Sequence, residues 1–232
     1  MFDVSIDKLT IIGAGLLGGS LGLALRRRGF TGRIVGVARR AETLNTAIER
    51  GCIDEGTRDL SPAVEGAGLI VLAVPVQTGL RLLAALAEAN VGDAVITDVG
   101  STKASTVVEA EQLLPRPDLF VGSHPMAGAE TSGPGAARAD LYDGKPVVLT
   151  PTDRTDAGAL AQVESLWRWL QMRVHRMSPA DHDRAVAAIS HLPHAVSVLL
   201  MQLAGQSDGL PLASSGLADM TRLAGGDVTM WA

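Results

Sequence analysis

Short runs of apolar residues alternate along the chain with longer stretches in which apolar positions recur every three or four residues. The runs cover residues 9–12, 33–37, 69–76 and 94–100, and the helical stretches between them tend to end at a glycine, such as Gly29. The runs predict strands and the longer stretches predict helices. Strands that alternate with helices form βαβ units, so the pattern predicts an α/β fold with a doubly wound, mostly parallel sheet.

The alternation changes after residue 119. The segment DLFVGSHPMAG predicts a short strand that leads into a long loop, and PVVLT and RVHRM predict two further strands on either side of an amphipathic helix. Ser178 and Pro179 suit the N-cap and the first turn of a helix, and most of the residues after them have helical spacing. We therefore predict two domains, an α/β domain over residues 1–178 and a smaller, all-helical domain over residues 179–232.

A glycine motif follows the first predicted strand and opens the first predicted helix. Gly13 permits a tight turn, Gly15 lets the backbone approach a pyrophosphate, and Gly18 allows the helix to pack closely on the strand. Leu16 and Leu17 lie in the first helical turn, whose free N–H groups favour phosphate. The motif predicts a dinucleotide-binding domain of the Rossmann type, and a purely structural glycine turn is the alternative.

The end of the second predicted strand bears on which dinucleotide is bound. A carboxylate usually accepts hydrogen bonds from the ribose 2′-hydroxyl of NAD at this point, but here the residues are Ala38, Arg39 and Arg40. A guanidinium binds a 2′-phosphate through two hydrogen bonds, so we predict NADP as the preferred cofactor, with Arg39 as the main contact. NAD stays possible if both arginines are merely solvated. Val74 and Pro75, at the end of the third run, are expected to line the same crevice.

Ser101 and His124 each lie at the end of a predicted strand, where ligands of open α/β sheets bind. The hydroxyl of Ser101 suits either a hydrogen bond to substrate or nicotinamide or the N-cap of the next helix. His124 suits either a structural role or proton transfer, because an imidazole titrates near neutral pH. The residues alone leave both choices open.

Two further histidines, His191 and His194, are three residues apart and therefore share a helix face. Pro193 between them is expected to kink that helix, because proline lacks the N–H that a helix needs. The upstream segment 181–183, DHD, adds further potential metal ligands. No third ligand stands at a characteristic metal-site spacing from the histidine pair, so we predict no metal site.

Composition and charge narrow the remaining possibilities. The 232 residues carry a net charge of −5, so no nucleic-acid partner is expected. A single cysteine, Cys52, and the lack of a signal-peptide pattern favour a cytoplasmic location. The longest unbroken apolar run, 69–76, is far shorter than the roughly 20 residues that span a bilayer, so no membrane association is expected.

The motifs together resemble the prephenate/arogenate (cyclohexadienyl) dehydrogenase family, from residue 9 to the last residue. The resemblance is carried by IIGAGLLGGSLGLAL, VLAVPV, TDVGSTK, GSHPMAGAETSGP, DHDRAVAAISHLPHAV and GLADMTRLAGGDVTMWA. It implies an NADP- or NAD-dependent oxidative decarboxylation of prephenate or arogenate in tyrosine biosynthesis. Hydride leaves ring C4 for the nicotinamide, CO2 leaves C1, and the ring becomes aromatic.

The resemblance also implies roles for individual residues. It makes His124 the group that accepts the 4-hydroxyl proton and places Ser101 near that hydroxyl or the nicotinamide. Arg222 would bind a substrate carboxylate, with Asp219, three residues earlier, orienting its guanidinium. The remaining residues that it assigns to the substrate pocket are Glu130, His191, His194 and Trp231.

Family members usually continue beyond MWA with further helices that complete an interlocked dimer, so the C-terminal domain is expected to be shortened. We still predict a homodimer, because the helix AVSVLLMQLA is too apolar to face water. Three alternatives stay open. They are a dehydrogenase acting on 4-amino-4-deoxyprephenate, another NADP-linked β-hydroxyacid or imine reductase, and a dinucleotide-binding regulatory protein without activity.

Overall fold

The computed structural model describes residues 6–129 and 131–225. The chain divides into two compact units, Met1–Ala180 and Asp181–Ala232. The first unit holds a sheet with helices on both faces, and the described part of the second unit is helical. The predicted fold class, a mostly parallel α/β sheet followed by a smaller helical unit, is therefore confirmed.

The strands of the first unit are β1 (Lys8–Ile12), β2 (Arg33–Val37), β3 (Glu55–Thr57), β4 (Leu69–Leu72), β5 (Val95–Asp98), β6 (Phe120–Pro125), β7 (Pro146–Thr150) and β8 (Arg173–Arg176). They form one sheet in the order β3-β2-β1-β4-β5-β6-β7-β8. Neighbouring strands are parallel except β6 and β7, which are antiparallel. The chain moves outward from β1 through β2 and β3 and then crosses back to β4. This reversal places a crevice at the carboxyl ends of β1 and β4.

Helices cover both faces of the sheet. They are α1 (Leu16–Arg27), α2 (Ala41–Glu49), α3 (Leu60–Val64), α4 (Val76–Glu88), α5 (Ala104–Leu113) and α6 (Ala157–Trp169). Alternate residues of β4 belong to two separate cores, Leu69 and Val71 to one and Ile70 and Leu72 to the other. The first core packs against α1, α2 and α6, and the second against α3, α4 and α5. Burial on both faces explains why the strands are continuous apolar runs.

Three details of the first unit differ from the sequence prediction, and one of them is the short helix α3, which was not predicted. The strand predicted over 69–76 ends at Leu72, and α4 already begins at Val76. Pro75 explains the early end, because it has no N–H to donate to a ladder and suits the entry to a helix. Strand β3 was not predicted, because the sequence EGT at the exposed edge has no apolar pattern.

Helix α7 (Pro179–Val186) begins two residues before the second unit and continues into it, and α8 (Leu192–Gly205) and α9 (Ser215–Thr221) follow. A π-helical segment, Ala187–His191, joins α7 to α8 directly before Pro193. The proline ring would clash with the carbonyl of Ile189, four residues earlier, and the wider π turn is a common way to accommodate such a clash. The disruption predicted from Pro193 thus takes the form of a π turn.

One long helical run of the second unit exposes much apolar surface. By length and composition, the 27 residues of Pro179–Gly205 form a helix long and apolar enough to cross a membrane. Only 11% of its most apolar part is buried by the described residues. The sequence predicted that the part AVSVLLMQLA is too apolar to face water, but unbroken apolar runs did not indicate the full length of this helix, because Ser, His and Gln interrupt its apolar residues. A helix with this much exposed apolar surface needs a partner.

Candidate active site

The turn between β1 and α1 requires two of its glycines for packing. Gly13 has a φ of +108°, and a Cβ there would lie 2.2 Å from the carbonyl oxygen of Ala73. A Cβ on Gly18 would lie 2.0 Å from the carbonyl oxygen of Gly13. Around Gly15, by contrast, a Cβ would meet no atom within 4 Å. The open space beside Gly15 is where the motif predicts a pyrophosphate.

The helix that follows this turn offers unsatisfied N–H groups. Gly15 is the N-cap of α1 and supplies no side-chain cap, and the first turn carries no acidic residue. Leu16 and Leu17, the first residues of α1, are half-buried. The Tyr142 hydroxyl donates a hydrogen bond of 2.8 Å to the carbonyl oxygen of Leu17, and burial raises the pKa of Tyr142. The first turn of α1 is therefore anchored, with its N–H groups free for an anion.

The end of β2 carries the predicted 2′-phosphate contacts. Ala38 is half-buried, and its N–H donates to the carbonyl oxygen of Thr57 at 3.3 Å, at the end of β3. Arg39 and Arg40 are exposed, and neither forms an ion pair within the part of the chain that the structure describes. Their guanidinium groups are thus available to a ligand.

The loop after β4 lies against the glycine turn. The Cγ1 atom of Val74 is 2.8 Å from the position of a Cβ on Gly13, and Val74 itself is half-buried. Pro75 is exposed and is the N-cap of α4. Val74 and the glycine turn therefore form one wall of the crevice, as the strand-end rule predicts.

Ser101 and His124 lie at the ends of two neighbouring strands, β5 and β6. Ser101 is half-buried and does not cap α5, because Lys103 occupies the N-cap position. His124 is buried, with 9% of its surface exposed, and pairs with Val148 of β7 across the antiparallel ladder. The structure thus brings both predicted catalytic residues to the same edge of the sheet.

A buried ion pair lies directly beneath these two residues, and the sequence argument missed it. The Lys103 ammonium contacts Oδ2 of Asp98 and donates to the carbonyl oxygen of Ser123 at 2.9 Å. The carboxylate of Asp98 in turn accepts from Gly100 N at 2.9 Å and from Ser123 N at 3.0 Å. The spacing of Asp, Gly and Lys in TDVGSTK is the signal that could have indicated it.

The second unit carries the residues predicted for the substrate. His191 ends the π-helical segment and His194 lies in the first turn of α8, and both are half-buried. Asp219 lies in α9 and Arg222 directly after that helix, and both are exposed. Glu130 and Trp231, the other two predicted residues, lie outside the described residues.

A separate contact in this unit joins His182 to its neighbour. His182 is fully buried, and its Nδ1 lies 2.7 Å from Oδ1 of Asp183. Within residues 6–129 and 131–225, no group of three or more His, Cys, Asp or Glu side chains converges as in a metal site.

The glycine turn, the uncapped helix and the polar strand ends define a dinucleotide-binding Rossmann unit, followed by a helical unit. Residues 21–176 match the family model of the prephenate dehydrogenase nucleotide-binding domain, and residues 178–232 match that of the prephenate dehydrogenase dimerization domain. The chain belongs to the prephenate dehydrogenase family, which confirms the resemblance seen in the sequence.

Individual relatives agree with this assignment. The chain is 36% identical to a prephenate dehydrogenase of Bacillus subtilis (strain 168), over 97% of this chain and 62% of that protein. It therefore spans about three fifths of the length of this relative. A crystal structure of prephenate dehydrogenase from A. aeolicus in complex with hydroxyphenyl propionate and NAD+ has a TM-score of 0.92 and 36% identity, and covers 99% of this chain and 82% of that one. A Synechocystis arogenate dehydrogenase structure has a TM-score of 0.80 and 38% identity, with 96% and 81% covered.

Proposed function

We propose that the protein catalyses the oxidative decarboxylation of prephenate or arogenate, with NADP preferred over NAD, in tyrosine biosynthesis. The observation that carries the proposal is the placement of Ser101 and His124 on neighbouring strand ends of a sheet whose glycine turn has open space at Gly15. A strand-end serine and histidine beside a dinucleotide site suit the oxidation of a secondary hydroxyl.

His124 would accept the proton of the 4-hydroxyl as the C4–H bond breaks. Its position on β6, almost fully buried, keeps water away from the imidazole and holds its direction. Ser101 would donate a hydrogen bond to the same hydroxyl or to the carboxamide of the cofactor. A bound nicotinamide supplies the hydride acceptor. Loss of CO2 from C1 then completes the aromatic ring, with no further base required.

Binding of the substrate carboxylates is assigned to the second unit and the loop after β6. Arg222 is exposed and suits a carboxylate through two hydrogen bonds. The other residues that we assign to the pocket are Glu130, His191, His194, Asp219 and Trp231. Asp219, three residues before Arg222, would orient its guanidinium.

The preference for NADP rests on the end of β2. Arg39 and Arg40 stand where a carboxylate would select NAD, and neither forms an ion pair with another described residue. The A. aeolicus relative was crystallised with NAD+, so NAD is the alternative cofactor, and it should be tested in parallel with NADP.

We further propose that the protein is a cytoplasmic homodimer. Exposed apolar residues follow one stripe along the second unit at alternating intervals of three and four: Ile189, Leu192, Val196, Leu199 and Leu203. Such spacing is typical of a helix that packs against another helix. Residues 178–232 match a dimerization domain. This match supports the view that a second copy of the chain, rather than a bilayer, covers the apolar stripe.

The activity is tested by incubating the protein with NADP or NAD and, separately, with prephenate, arogenate or 4-amino-4-deoxyprephenate. Formation of reduced nicotinamide is followed by absorbance, and the aromatic product and CO2 are quantified. We expect equimolar reduced cofactor and aromatic product with prephenate or arogenate. Turnover of the amino compound alone would shift the assignment to that substrate. Cofactor binding without turnover of any of the three would favour the regulatory alternative.

A further inference from the structure

The buried pair Asp98 and Lys103 holds the backbone on both sides of the candidate active site. Lys103 is 0% exposed and Asp98 4%, and their charged groups are in contact. Ser123, the residue before His124, donates its N–H to Oδ1 of Asp98 and accepts from Lys103 at its carbonyl oxygen. Both polar groups of one peptide residue are therefore bound by the same ion pair.

The other oxygen of the carboxylate reaches the second candidate residue. Oδ2 of Asp98 accepts the N–H of Gly100, the residue before Ser101. A Cβ on Gly100 would lie 2.8 Å from that same oxygen, which is too close. The hydrogen bond between the N–H of residue 100 and Asp98 therefore favours glycine at this position. One carboxylate thus ties together the two chain segments that carry Ser101 and His124.

Packing alone does not explain a buried ion pair at this position. Moving two charges out of water costs more than an apolar pair of the same volume, so such a pair is weak evidence for a stabilising role. Here each charge bonds backbone atoms that adjoin the candidate catalytic residues. The hydroxyl of Ser123 also donates to the carbonyl oxygen of Asp98, and the hydroxyl of Thr97 donates to the carbonyl oxygen of Val121 at 2.7 Å.

We propose that Asp98 and Lys103 are positioning residues that set the separation and direction of Ser101 and His124 for hydride and proton transfer. The inference rests on the proposed function for the roles of Ser101 and His124. The pair touches neither substrate nor cofactor in this scheme and acts through the backbone of residues 100 and 123.

The chain offers a matched control for Lys103. Lys8 is also buried, at 8% exposed, and donates to two backbone carbonyl oxygens, those of Pro62 at 3.3 Å and Glu65 at 2.6 Å. It lies at the amino end of β1, whereas the crevice lies at the carboxyl end. Lys8→Met and Lys103→Met therefore remove the same kind of side chain from the two ends of the sheet.

The experiment compares kcat, KM and thermal stability of both variants with those of the wild type. Lys103→Met should lower kcat on the order of 10²-fold, because a small misplacement of reacting groups costs about that much, and should leave both KM values within about threefold. Lys8→Met should also lose stability, but less than Lys103→Met because it leaves no carboxylate buried without its partner, and it should keep its kcat. An equal fall of kcat in the two variants, or no fall in Lys103→Met, would overturn the positioning role.

A double variant covers the case in which Lys103→Met does not fold. Asp98→Asn combined with Lys103→Met removes both charges, so no unpaired charge stays buried, and its stability should recover towards the wild type. Its kcat should stay at least about tenfold low, because an amide has a single acceptor oxygen for the N–H groups of residues 100 and 123. Recovery of both stability and kcat would show a purely structural pair.

Imidazole NMR separates failure of this inference from failure of the proposed function. The His124 resonance, assigned by its loss in His124→Asn, should shift in Lys103→Met or in the double variant and stay unchanged in Lys8→Met, whether or not any substrate turns over. An unmoved resonance would overturn the positioning role by itself. Normal turnover of Lys103→Met beside an inactive His124→Asn would leave the proposed function standing and remove only the inference.

Discussion

The carbonyl oxygen of Gly13 lies 2.0 Å from the place that a Cβ on Gly18 would occupy, so the glycine turn and α1 are packed backbone against backbone. Gly18→Ala should therefore push α1 away from the turn, lower the free energy of unfolding by about 1–3 kcal/mol and weaken dinucleotide binding.

Gly15→Ala separates an effect on binding from an effect on packing, because its Cβ meets nothing within 4 Å. It should keep the stability of the wild type and still bind NADP at least about tenfold more weakly, since the methyl group enters the proposed pyrophosphate site. Thermal denaturation measures the stability of each variant, and a fluorescence titration measures its affinity for NADP. Wild-type affinity in Gly15→Ala would contradict the placement of the pyrophosphate at this turn.

Replacement of His124 tests the proposed base. His124→Asn should lower kcat by on the order of 10²-fold or more, with a smaller effect on KM, because asparagine preserves the hydrogen bond but cannot accept the proton. His175, on β8, serves as the control, since it is exposed and faces the same residue of β7 from the other side of the ladder. Steady-state kinetics of His175→Asn should match those of the wild type. A nearly normal kcat in His124→Asn would assign the proton to another group.

The cofactor preference depends on the end of β2. Ala38→Asp combined with Arg39→Asn should change the ratio of kcat/KM for NADP to that for NAD by at least about tenfold in favour of NAD. The new carboxylate repels a 2′-phosphate and accepts from the 2′-hydroxyl, and the lost guanidinium no longer binds phosphate. Arg40→Asn alone should have a smaller effect than Arg39→Asn. An unchanged ratio would mean that both arginines are only solvated.

A surface ion pair should give the first unit part of its stability above acidic pH. Arg27 donates to both oxygens of Asp143, at 2.5 and 2.6 Å, and Arg28 adds a contact at 3.3 Å. The hydrogen bond from Arg27 holds the pKa of Asp143 below its usual value, and Arg28 adds to this. Because the folded-state pKa is lowered, the stabilisation is complete above the unfolded-state pKa of about 4 and is lost as the pH falls through the folded-state value.

Asp143→Asn should accordingly lower stability at pH 7 by at most about 1 kcal/mol, since the pair is partly exposed, and the deficit should shrink below about pH 4. Urea denaturation between pH 3 and 7 measures this. Asp153→Asn, at an exposed carboxylate that forms no ion pair among the described residues, is the control and should follow the wild-type profile. A deficit of constant size at every pH would indicate a packing effect instead of the ion pair.

The apolar stripe on α8 should be the contact between two copies of the chain. Leu199 is 58% exposed in the middle of this stripe, and a charge there would be buried in a dimer at a large cost. Leu199→Glu should therefore be monomeric in sedimentation velocity, whereas Gln202→Glu, at an exposed polar position of the same helix, should remain dimeric. If the wild-type protein sedimented with lipid vesicles instead of forming dimers, the apolar stripe would bind a bilayer and not a second copy of the chain.

Most of the first unit could be read from the sequence because its elements are locally periodic. The apolar runs predicted β1, β2, β4 and β5 at nearly their observed positions, and the glycine motif predicted the turn between β1 and α1. Strand β3 was missed because its three residues, EGT, carry no apolar pattern. The strand over residues 69–76 was drawn too long, since apolar character alone does not show where Pro75 ends a ladder and begins a helix.

The sequence by itself determined the order of most elements, the dinucleotide turn and the family, because the residues that indicate each of these are neighbours along the chain. Only the tertiary structure decided that β6 and β7 are antiparallel, that the strands leading to Ser101 and His124 are neighbours, and that one carboxylate, Asp98, joins the two segments. These features depend on contacts between residues that are 20 or more positions apart. The spacing of apolar residues indicates which face of a helix or strand is buried. Which neighbouring element covers that face depends on the packing of the whole sheet.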